Sequence, residues 1–158
     1  MTGTIRSAAL IASAAIITTA GVRGGVTAAD RDACSLVSPQ DAAAALGENV
    51  GAPKPMPSHP MGQGATASAC VYKGSGFHEM SVQVIRMPTD MAAVYKSLCQ
   101  QKGKDGLSDL GDVACWYNDK HEELQVLKGL TFFSIVLKRS GNPTEPIKAA
   151  AKRVFNQL

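Results

Sequence analysis

The sequence predicts one α+β domain: a five-stranded antiparallel sheet with three helices packed on it, in the order α-β-β-α-β-β-β-α, held by two disulfides. Three observations lead there. The chain has 158 residues, 45% hydrophobic and 18% charged, enough for one core and too apolar for a wholly disordered chain. Its apolar residues alternate in some segments and follow helical spacing in others, with Gly- and Pro-rich turns between them. All four cysteines lie beyond an N-terminal apolar segment that reads as an export signal.

Residues 1–28 are predicted to be a signal peptide and residues 29–158 the mature domain. Arg6 and the amino terminus supply a weakly positive start. Residues 7–20 are small and apolar, and Val26-Thr27-Ala28 fits the small-residue rule for cleavage. The apolar stretch is short for a spanning helix, so no stable membrane insertion is expected after cleavage. No lipidation signal precedes Cys34, because Arg31-Asp32-Ala33 puts charge where an apolar box belongs. Cleavage removes Arg6 and Arg23 from 16 basic residues, leaving 14 against 13 acidic ones, a net charge of +1. A near-neutral chain lacks the electrostatic footprint of a nucleic-acid binder. The expected localisation is secreted or periplasmic.

Within the domain, Ser38 caps a helix with Pro39 in its first turn, running through alanines to Leu46 and stopping at Gly47. Residues 51–67, with Pro53, Pro55, Pro57 and Pro60, read as a long loop. A short strand covers 69–73 and turns at Gly74-Ser75-Gly76 into a second at 80–87, where Met80, Val82 and Val84 alternate with polar neighbours. Thr89 caps the next helix, whose Met91, Val94, Tyr95 and Leu98 form the face expected to be buried, with Lys102, Gly103 and Lys104 at its end. Strands follow at 112–117, 123–128 and 130–138. The last offers apolar side chains to both faces and is placed at the sheet centre. Asn142-Pro143 introduces the final helix, striped by Ile147, Ala150 or Ala151, Val154 and Leu158, with Lys148, Lys152 and Arg153 outside.

Four cysteines in an oxidising compartment form two disulfides, for which three connectivities exist. Cys34–Cys70 with Cys99–Cys115 is favoured, since each joins a helix-associated segment to a nearby strand. In the chain-entropy picture each contributes about 3 kcal/mol. None of the spacings resembles a zinc knuckle.

Cys34-Ser35-Leu36, the alanine-rich helix ending Leu46-Gly47, Cys70-Val71-Tyr72 and the run Leu110-Gly111-Asp112-Val113-Ala114-Cys115-Trp116 carry a family likeness. Together they resemble the small exported domains of unknown function found in bacterial lipoproteins and secreted proteins. Those domains are similar in turn to the extracellular sensor domains of mycobacterial receptor kinases. The resemblance implies a disulfide-stapled α+β sandwich that binds rather than catalyses, and it carries no catalytic residues over. The absent lipobox cysteine departs from the lipoprotein members.

Candidate chemistry is sparse. Met56, His59 and Met61 offer thioether and imidazole ligands suited to cuprous copper. Asp105, Asp109 and Asp112 lack the ligand alternation of a calcium loop. His59, His78 and His121 lie in expected loops or turns, no Gly-x-Ser-x-Gly elbow occurs, and Gly74-Ser75-Gly76 is no phosphate cradle. Trp116, the single tryptophan, and Phe132 are candidates for a ligand pocket. The expected function is therefore a non-enzymatic binding or sensor-like domain without a cofactor. Its partner would be an unknown protein or small molecule of the cell envelope, met on the sheet face the helices leave open. The alternatives are a periplasmic copper protein using Met56, His59 and Met61, and a protein inhibitor or subunit of an envelope complex.

Overall fold

The computed structural model describes residues 32–102 and 107–158. The expected signal peptide, residues 1–28, lies outside the described residues, as do Gly103, Lys104 and Asp105. After a 3-10 turn at Ala33–Ser35 come α1 (Pro39–Leu46), β1 (Lys54–Gly62), β2 (Ala65–Lys73) and β3 (Glu79–Arg86). Then follow α2 (Thr89–Gln101), β4 (Val113–Trp116), β5 (Glu123–Lys128), β6 (Thr131–Lys138) and α3 (Thr144–Gln157). The strands form one antiparallel sheet in the order β1-β2-β3-β6-β5-β4. Among the described residues the class is α+β with three helices, as the sequence predicts, but the sheet has six strands rather than five.

The additional strand is the segment read as a loop. Proline donates no hydrogen bond to a ladder and is excluded from central strands, yet an edge strand tolerates it. β1 is that edge, and its pairing with β2 slips between Met56 and His59 and again between Pro60 and Gly62. Pro57 falls within the first slip, whereas Pro55 and Pro60 stay in register opposite Cys70 and Thr66. Gly62, Gln63 and Gly64 all take positive φ to reverse the chain, so β2 begins at Ala65, four residues before the expected start.

Alternation assigns the two sheet faces. On one face Tyr72, Val82, Phe133, Ile135 and Leu124 pack beneath α1 and α3 in the larger core cluster. On the other, Phe132, Leu127 and Val113 lie with Met87, Ala92 and Cys99 in a smaller cluster under α2. β6 is one of the two central strands and is buried on both faces over most of its length. α1 starts as expected: Ser38 Oγ accepts from the Asp41 N–H, the Asp41 carboxylate accepts from the Ser38 N–H, and Gly47 ends the helix at φ +77°.

The second helix departs from expectation twice. Pro88, not Thr89, occupies the cap position, without a side-chain cap bond. Its buried positions are Ala92 and Cys99, with Met91 and Tyr95 packed partly against the cluster, whereas Val94 and Leu98 are 60% and 54% exposed. The reason is covalent. The disulfides are Cys34–Cys70 and Cys99–Cys115, and the second ties α2 to β4, so Cys99 and the residues above it at helical spacing must face the sheet. The apolar stripe is thereby turned partly outward.

Two substitutions test this arrangement by chemical denaturation. Phe133 is fully buried, so Phe133→Ala should cost about 3–5 kcal/mol. Exposed Leu98→Ala should change stability by no more than about 0.5 kcal/mol. Equal losses at the two sites would mean that α2 sits in the orientation its apolar stripe alone suggests.

Candidate functional site

Because α2 covers only part of its face, rows of cross-strand neighbours beside it stay open. One row runs Met56, Ala69, Gln83, Ser134, Gln125 and Cys115 across all six strands. The next runs Lys54, Val71, Ser81, Val136 and Glu123, with Tyr117 beyond it, whose N–H donates to the Glu123 carbonyl. Gln83, Ser81, Val71, Val136, Gln125 and Glu123 are half-buried, the exposure of a floor rather than of a core.

Along this floor α2 forms a wall with two clefts sharing Tyr95 and Leu98. One, of about 410 Å³, lies against Gln63, Met87, Asp90, Met91 and Val94. The other, of about 340 Å³, is lined by the Cys99–Cys115 bridge, Lys102, Tyr117 and Gln125 among others. Both fall within the size range of small-molecule sites. Tyr95 is held in place: its hydroxyl donates to Gln125 Oε1 at 3.1 Å and its ring meets Phe132 edge-on at 4.8 Å. Gln125 Nε2 in turn donates to Glu123 Oε1 at 2.7 Å. Burial first, then the Glu123 charge, raises the Tyr95 pKa far above the ordinary phenol value, so the hydroxyl stays a donor.

The expected pocket pair is not brought together. Trp116 belongs to the cluster under α3 and Phe132 to the cluster under α2, on opposite faces of the sheet. Trp116 stacks on His121, centroids 4.6 Å apart, and its buried indole N–H has no hydrogen-bond partner among the described residues. Phe132 contributes from beneath, by supporting Tyr95.

The metal-ligand candidates lie on β1, where every residue is exposed. Met56 stands opposite Ala69 and His59 opposite Ala67, so the slip between them returns both to the same face. His59 Nδ1 lies 3.2 Å from the Pro57 carbonyl; a carbonyl only accepts, so Nδ1 carries the proton and Nε2 keeps its lone pair. Met61 falls at the second slip. Two of the aspartates are engaged elsewhere: Asp109 pairs with Lys152 at 2.8 Å, and Asp112 accepts the Gly129 N–H at 2.8 Å. Among the described residues no three His, Cys, Asp or Glu side chains gather as a metal site. The basic residues of α3 are also paired, Lys148 with Glu145 and Arg153 with Asp41.

One constellation has no local sequence signal. Glu48 after α1, His78 before β3 and Ser140 after β6 form a line, with His78 Nδ1 2.9 Å from Glu48 Oε1 and Nε2 3.1 Å from Ser140 Oγ. The order is that of a hydrolytic triad. However, the Ser140 backbone N–H donates to the same Nε2 at 3.2 Å, and one ring lone pair serves one well-aligned donor. The Ser140 hydroxyl and N–H therefore share one acceptor, and the ring clasps three chain segments together. Ser75 closes the clasp by donating its N–H and hydroxyl to Glu48, directly over Gly74, where any Cβ would run into the carboxylate.

The Ser75 hydroxyl, then its N–H, then His78 hold the Glu48 carboxyl down to about 2 from its ordinary 4.5. A lowered folded value means that this contribution is complete above about 4.5 and is lost as pH falls toward about 2. Across that window, urea unfolding should weaken more steeply for wild type than for Glu48→Gln. Identical pH slopes would contradict the clasp. Comparison with protein-family models, with curated proteins and with solved structures finds no match for this chain.

Proposed function

We propose that the chain is an exported binding or sensor-like domain that holds a ligand rather than transforming one. Its ligand surface is the half-open sheet face beside α2. The observation that carries this reading is the asymmetry of coverage: two helices close one face, whereas the other keeps a half-buried floor with clefts along its helical wall. Two disulfides and the absence of a membrane-spanning helix among the described residues support a working place in an oxidising compartment outside the cytoplasm. A thermal-shift survey of envelope extracts and small molecules tests it. A ligand at one hundred times its Kd stabilises by about 2.7 kcal/mol, and Leu98→Glu or Gln125→Ala should abolish that shift. Shifts that survive both substitutions would place the site elsewhere.

A second reading is cuprous copper held at the edge strand. It is favoured by the shared face of Met56 and His59 and by the imidazole whose Nδ1–H is fixed on a backbone carbonyl, an arrangement typical of metal-ligating histidines. Titration of cuprous ion into wild type and a His59→Ala, Met61→Ala double variant decides it. Equal affinity retires the copper reading.

A further inference from the structure

We propose that the ligand of the open face is an uncharged, hydroxyl-rich glycan chain lying across the strands, one sugar ring per strand. This rests on the open-face reading above and names its ligand class. The first support is unspent hydrogen-bonding capacity. Ser134 is only 5% exposed, faces the floor between Gln83 and Gln125, and its hydroxyl engages no protein group among the described residues. The amide of Gln83 and the hydroxyl of Ser81, on the neighbouring strand, are likewise unengaged. The Ser134 hydroxyl still reaches solvent, so a ligand hydroxyl can take the place of the water that serves it.

The second support is spacing. Floor residues of one row recur at the inter-strand distance of about 4.8 Å, close to the length of one pyranose ring along an extended chain. An extended peptide advances only about 3.3 Å per residue and drifts out of step with the same row. The third support is the mixture of surfaces. Amide, hydroxyl and the Glu123 carboxylate suit the hydroxyl edge of a sugar, while Val71, Val136 and the part of the Tyr117 ring that Lys102 Nζ, 4.8 Å from its centroid, leaves exposed suit its C–H faces. Charge sets the sign. At the middle of the floor, on β2, β3 and β6, Ala69, Val71, Gln83, Ser81, Ser134 and Val136 carry no charge. The charged groups, Lys54, Lys102 and the Glu123 carboxylate that accepts from Gln125, stand toward its borders, so the centre matches a neutral ligand.

NMR titration of the isotope-labelled chain with cellotetraose and with chitotetraose, each at millimolar concentration, tests the proposal. A sulfated tetrasaccharide and a tetrapeptide serve as comparisons. At least one neutral sugar should shift Gln83, Ser134, Gln125 and Tyr117. Its affinity should fall at least about tenfold in Gln83→Ala and in Tyr117→Ala, both kept folded by wild-type spectra outside the face. Silence of both neutral sugars, or tighter binding of the sulfated one, overturns the glycan proposal. If the peptide then shifts the same residues, the open-face reading stands without the glycan. Shifts confined to the face under α1 and α3 would overturn both.

Discussion

The pairing of β3 with β6 joins two three-stranded meanders, β1-β2-β3 and β4-β5-β6, through eight residue pairs in unbroken antiparallel register. Both the core and the candidate site depend on that register. It sets Val84 against Phe133 and Val82 against Ile135 on the closed face, and Gln83 against Ser134 on the open one. Because side chains alternate, a slip of one residue would turn Phe133 to the open face and bury the polar row under α3. The burial of Val82, Phe133 and Ile135 therefore selects the register, and the polar floor follows from it.

The second disulfide then decides how much of the open face is covered. Cys99–Cys115 anchors α2 over β4, with Tyr95 standing at the border of the floor. A helix free to bury its whole apolar stripe would draw Val94 and Leu98 down onto the sheet. The anchored helix leaves them as the wall of a trough. Covalent geometry, rather than maximal apolar burial, thus shapes the candidate site.

Most elements were legible in the sequence because their signals are local. Ser38, Pro39 and Gly47 mark α1, alternation marks β3, and a doubly apolar run marks β6 as a central strand. What escaped depends on distant contacts. Residues 54–62 form a strand despite Pro55, Pro57 and Pro60 because they lie at an edge, and edge position is a property of the whole sheet. The buried side of α2 is set by Cys99–Cys115, a pairing the sequence already favours, whereas the apolar stripe read by itself points the helix elsewhere. Trp116 and Phe132 separate because strand parity sends them to opposite faces, which their residue types do not reveal. The floor row draws on all six strands and the Glu48–His78–Ser140 clasp on three chain segments, so neither leaves a motif.

The account therefore stands on one register, carried from the sheet centre outward to the site. The most direct test is the pattern of cross-strand backbone proton contacts across β3, β6 and β5 in the solution NMR spectrum. Contacts setting Gln83 opposite Ser134, and Ser134 opposite Gln125, are the predicted result. A pattern displaced by one residue, with Phe133 in line with Gln83, would contradict both the core and the site.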